Sequence, residues 1–114
     1  MSLRSTDLTI LSNLFKGDRA LVTEWIALYL EEAPGYFQRV EDALKADDAK
    51  AMTFAVHELR PQAHYLGASK LLELLALIGG TADDQGARAC KGPVEELLEL
   101  ARRIETELRE DRAT

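Results

Sequence analysis

The chain has 114 residues, a formal net charge of −6 at pH 7, 46% apolar residues and 30% charged ones. That length suits one domain with one core, and the balance is that of a folded globular protein. An acidic surface disfavours a nucleic-acid partner, because phosphate backbones require basic faces. No apolar run approaches the ~20 residues of a membrane span. The N-terminus carries no apolar signal segment, so the expected location is cytoplasmic, with no membrane contact. The single cysteine, Cys90, allows neither an internal disulfide nor a thiolate metal cluster within one chain. It reads as a small residue in a loop.

The first helical pattern covers about Ser5 to Phe15. It opens on the cap-type residues Ser5, Thr6 and Asp7 and carries Leu8, Leu11, Leu14 and Phe15. Lys16-Gly17-Asp18 ends it, and Asp18 can cap a second helix that runs to about Glu32, with Leu21, Trp25, Leu28 and Tyr29 at helical spacing. Pro34-Gly35 interrupts, and Tyr36, Phe37, Val40 and Leu44 resume the pattern, either as a separate helix or as the same one kinked.

Asp47-Asp48 caps a third helix, about Asp48 to Tyr65. In it Met52, Val56, Leu59, Ala63 and Leu66 form one apolar stripe, and Gly67 is the stop. Ser69 opens a fourth helix through Leu71, Leu74, Leu75 and Ile78, closed by Gly79-Gly80. A polar loop is expected over about Thr81 to Gly92. Pro93 then starts the last helix, whose apolar face is Val94, Leu97, Leu98, Ala101, Ile104 and Leu108. Residues 1–4 and the tail from about Arg109 to Thr114 are expected to fray. No segment alternates with period two. The expected fold is all-α: a single domain over residues 1–114, an antiparallel up-down four-helix bundle with a short extra N-terminal helix.

Rotating the third helix by ~100° per residue places Thr53, His57, Arg60 and His64 on one flank of the apolar stripe. Phe54, Pro61 and Tyr65 fall further round, away from the core. A helix facing plain solvent would show Lys and Glu there. Apolar residues around a polar centre suit a protein-docking patch, unless Phe54 and Tyr65 pack on a neighbouring helix. An imidazole titrates near pH ~6.5 in water, so at neutral pH it is a competent nucleophile. A phosphoryl group on it would be anionic, and Arg60, one turn on, would stand beside it.

The string Val56-His57-Glu58-Leu59-Arg60-Pro61-Gln62-Ala63-His64-Tyr65-Leu66-Gly67-Ala68 resembles the signature of histidine-containing phosphotransfer (HPt) domains. His57, Leu59, Arg60 and Leu66-Gly67 match it. Upstream, Glu31-Glu32-Ala33-Pro34, Ala43-Leu44, Asp47 and Ala51 are also similar, and the likeness covers roughly Asp18 to Leu75. Pro61 departs from the family, which usually has Gly there. Proline deprives the His57 carbonyl of its helical hydrogen bond and is expected to bend the helix.

The resemblance implies a phosphoryl carrier, not an enzyme. His57 is the phosphoacceptor and Arg60 stabilises the charged group, with Gln62 and His64 as further candidates for that shell. Thr53, Phe54, Pro61, Tyr65 and Gly67 would form the docking surround, and Gly67 would let the third and fourth helices approach closely. The chain would carry no cofactor of its own, and Mg²⁺ would come from the partner receiver domain. The implied partners are response-regulator receiver domains, a hybrid histidine kinase, or both. The chain is expected to be free-standing and a monomer.

The rival reading is a helical-bundle adaptor that binds a signalling partner without transfer, a reading that Pro61 favours. A metal held by His57 and His64 is excluded by their separation of ~10 Å along the helix axis. The many glutamates, such as Glu95, Glu96, Glu99 and Glu105, read as solvated helix faces.

Overall fold

Asp18 opens the first long helix by accepting hydrogen bonds from the backbone N–H groups of Ala20 (3.0 Å) and Leu21 (3.2 Å). These are among the donors that a helix start leaves without partners. The structure is a computed structural model and describes residues 4–113. Its elements are α1 (Thr9–Leu14), α2 (Arg19–Ala46), α3 (Ala49–Tyr65), α4 (Ser69–Gln85), a 3₁₀ turn (Ala87–Cys90) and α5 (Lys91–Ala113). α3 packs against α2 and α4, and α5 closes the ring by packing against the same two. The expected bundle with its short extra N-terminal helix is the one observed. No described helix is long and apolar enough to cross a membrane.

The core takes one stripe from each long helix: Val40 from α2, Met52 and Leu59 from α3, Leu71, Leu75 and Ile78 from α4, and Leu97, Ile104 and Leu108 from α5. Leu11 of α1 is buried with them. Burying such a side chain contributes roughly 1.5–3 kcal/mol each, enough to override local helix breakers. Hence α2 passes through Pro34 as one continuous helix, which settles the choice left open by the sequence. α4 likewise does not stop at Gly79-Gly80. Ile78 and Ala82 lie one turn apart on its buried face, and a Cβ at Gly79 would meet Val56 Cγ1 at 3.7 Å, ordinary contact across the α3–α4 seam.

The predicted loop over Thr81 to Gly92 shrinks accordingly. Gly86 turns the chain at φ 91°, ψ 167°, a region almost reserved for glycine. The 3₁₀ turn follows, and α5 begins at Lys91, with Pro93 inside its first turn, where a missing N–H costs nothing. Cys90 is therefore not a loop residue. It is fully buried, and its thiol donates to the Ile78 carbonyl at 3.5 Å.

The N-terminal helix is shorter than expected: Asp7 accepts from the Thr9 N–H (3.0 Å) at its start, and the residues before Asp7 bond to α5 instead of continuing the helix. The N–H groups of Ser5 (2.7 Å) and Thr6 (3.2 Å) and the Thr6 hydroxyl (2.9 Å) all donate to the Glu107 carboxylate on α5. The Asp7 N–H donates to the Leu66 carbonyl at 2.9 Å. Residues 4–7 thus form a strap across the end of the bundle. Arg4 extends it with a 2.6 Å bond to Asp111. α5 continues to Ala113. The expectation for residues 1–3 and Thr114 lies outside the described residues.

Asp48 caps α3 by accepting from the Ala51 N–H (3.0 Å). Asp47 takes a different part: it sits in the left-handed region at φ 52° and accepts from the Arg88 N–H (3.2 Å). That bond ties the α2–α3 turn to the 3₁₀ turn.

Candidate functional site

The buried ridge of α3, formed by Met52, Val56, Leu59 and Ala63, orients everything on its outer surface. With those side chains locked in the core, His57, Arg60, Pro61 and His64 must face solvent, and all four are exposed. They line one shallow recess together with Tyr65 and with Leu72 of α4. The helix rises ~1.5 Å per residue, so Arg60 stands about one turn from His57 and His64 about two. Arg60 has no carboxylate partner among the described residues, whereas Arg4, Arg88 and Arg109 are paired. Its guanidinium remains available to an anion on His57.

α3 carries Pro61 inside an unbroken helical run. Gln62 is not brought to the recess. At ~100° per residue it lies about 140° round the helix from His57, on the flank opposite Arg60. It is half-buried there, and its Oε1 is buried without a partner. His64 does reach the recess, where its ring meets Tyr65 edge-on at 5.6 Å.

The surround divides. Phe54 is 61% exposed and borders a separate recess with Arg39, Asp42 and Lys50. Tyr65 is only partly free, because Trp25 of α2 packs against it at 6.2 Å and in turn stacks on Tyr29 at 5.9 Å. Thr53 is half-buried, and its hydroxyl donates to the Lys50 carbonyl at 3.0 Å.

Gly67 ends α3 as expected, in the left-handed region at φ 58°. The close approach it permits is a different one. A Cβ there would collide with the Asp7 backbone, so Gly67 makes room for the N-terminal strap and not for α4.

Sequence reasoning missed part of the apolar surface. Leu21 and Leu28, placed at helical spacing on α2, are 41% and 52% exposed. The signal was present: α2 carries a second apolar set, Ile26, Leu30, Ala33, Phe37 and Val40, and one core-facing stripe cannot hold both. Leu72, reached only through the α3–α4 packing, was also missed.

A bundle that lifts a histidine and an unpaired arginine onto one outer helix face has the form of a carrier that meets its partner at the surface. A family model for the Hpt domain matches residues 24–110, and the chain belongs to that family. Hpt domains are phosphocarriers of phosphorelays rather than catalysts. Among solved structures, the fold is similar to the HPt domain of an Hpt sensor hybrid histidine kinase from Shewanella, with a TM-score of 0.82 and 17% identity over 96% of this chain and 94% of that one. No curated protein matches the chain in sequence.

Proposed function

We propose that this protein relays a phosphoryl group between receiver domains of a multistep phosphorelay by carrying it on His57. One observation carries the reading: His57 stands exposed in the same recess as Arg60, whose cation has no competing carboxylate among the described residues. An imidazole nitrogen of His57 attacks the phosphorus of the partner's acyl phosphate. The N–P bond forms as the P–O bond to the partner's carboxylate breaks, and the reverse step loads the next receiver. Arg60 offsets the charge on the bound phosphoryl oxygens. The Mg²⁺ that the transfer requires is supplied by the receiver. His64 extends the polar edge of the recess, and Phe54 and Tyr65 supply apolar contact. The protein acts in the cytoplasm as a monomer.

The test is incubation with a phosphorylated receiver, or with a hybrid histidine kinase and labelled ATP. The expected product is acid-labile, base-stable label on the wild-type chain and none on His57→Gln. Label that persists in the variant, or that no receiver of the same organism transfers, refutes the reading and leaves the non-transferring adaptor.

A further inference from the structure

We propose that Pro61 converts the backbone carbonyl of His57 into a hydrogen-bond acceptor for the docking partner and thereby selects which receivers bind; this rests on the carrier reading above. In an α-helix the C=O of residue 57 accepts from the N–H of residue 61. Proline has no N–H, so that bond cannot form although α3 continues through Pro61. Among the described residues no side chain replaces the donor. The side-chain hydrogen bonds to backbone along α3, among the described residues, run from the Ala51 N–H to Asp48 and from Thr53 to the Lys50 carbonyl. A proline ring also crowds the carbonyl one turn back and turns it outward.

His57 and Pro61 are both exposed and line the same recess. The free acceptor therefore lies at the place a partner must cover to reach the imidazole. In the unbound protein water satisfies it. Docking expels that water, and an acceptor then left without a donor weakens the complex. A receiver presenting an N–H at that point keeps the hydrogen bond, and one presenting an apolar or carbonyl group is rejected. Pro61 is thus a specificity-determining residue that acts through its neighbour's backbone. Pro34 provides an internal control. It removes the donor for the Leu30 carbonyl in the same way, but it lies in the crevice between α2 and α5 beside Leu98 and Ala101, outside the His57 recess.

The test compares wild type with Pro61→Ala, Pro61→Gly and Pro34→Ala in transfer from a phosphorylated cognate receiver. It also titrates the unphosphorylated receiver onto each protein and measures exchange protection of the new residue-61 amide. Protection of that amide, with Kd and KM raised about three- to tenfold in both Pro61 variants, is expected, since that is the size of one net hydrogen bond. Transfer at saturation and phosphohistidine lifetime should not change, and Pro34→Ala should match wild type. Unchanged Kd in the Pro61 variants overturns the proposal. So does an equal rise in Pro34→Ala, or a rise in the alanine variant alone, which would follow helix stiffness and not the restored N–H. Absence of label on wild-type His57 overturns the carrier reading and this proposal together, whereas label with unchanged Kd overturns only the proposal.

Discussion

Replacing Gly67 with alanine should destabilise the bundle through two separable effects. Gly67 holds φ 58°, and an L-residue in the left-handed region costs about 1–2 kcal/mol. The added Cβ would also collide with the Asp7 backbone, which must move. That movement breaks or lengthens the 2.9 Å bond from the Asp7 N–H to the Leu66 carbonyl, a loss of about 0.5–1.5 kcal/mol. The sum is about 1.5–3.5 kcal/mol, which for a domain of this size lowers Tm by roughly 6–18 °C. Gly17→Ala isolates the backbone effect, because Gly17 has φ 79° with nothing within 4 Å of its would-be Cβ. Thermal unfolding followed by circular dichroism should therefore place Gly67→Ala clearly below Gly17→Ala. Equal losses in the two variants would refute the argument that the strap is seated against Gly67.

Arg60→Ala breaks no ion pair among the described residues, so stability should stay within about 0.5 kcal/mol of wild type. Transfer should slow, or the phosphohistidine should decay faster, by roughly 10- to 100-fold, the worth of one charge-assisted hydrogen bond; equal rates remove Arg60 from the mechanism. Asp7 is held below the usual aspartate range by the Thr9 hydroxyl first and the Thr9 N–H second, with Arg4 adding a smaller pull. A lowered folded value means its contribution is present above the unfolded value of about 4 and is lost as pH falls through the folded one. The stability gap between wild type and Asp7→Asn should accordingly close in urea titrations below about pH 4, and a gap that widens there contradicts the assignment. Burial pushes the Cys90 thiol above its ordinary range. At pH 8 it should react with a disulfide reagent only as fast as the 3₁₀ turn opens, and labelling at the rate of a free cysteine would show the turn is not packed as described.

Much of the site was legible because a helix is a local object. Once Met52, Val56, Leu59 and Ala63 are assigned to the core, rotation at a fixed angle per residue puts His57, Arg60 and His64 on the outer face whatever the neighbouring helices do. Gln62 sits on the opposite flank by that same rotation, and it entered the candidate shell only through the family resemblance. Trp25, which packs on Tyr65, and Leu72 reach the site by way of packing between helices. Nothing in α3 itself announces them.

Breakers and caps were read less well than stripes. Pro34 and Gly79-Gly80 weaken a helix by local propensity, yet the buried residues on either side keep α2 and α4 continuous. Ser5 and Thr6 have the chemistry of helix caps, but Glu107, distant in sequence, takes their donors.

The sequence alone determined the helical class, the registers of the long helices and the exposure of His57 and Arg60, since each follows from periodicity within a few turns. The tertiary structure alone decided that α2 runs unbroken, that Gly67 seats the N-terminal strap, that Cys90 is core, and that Leu72 of α4 joins the recess. Those outcomes depend on which distant surfaces meet and which donors find which acceptors, and such competition is settled only when the whole chain is folded.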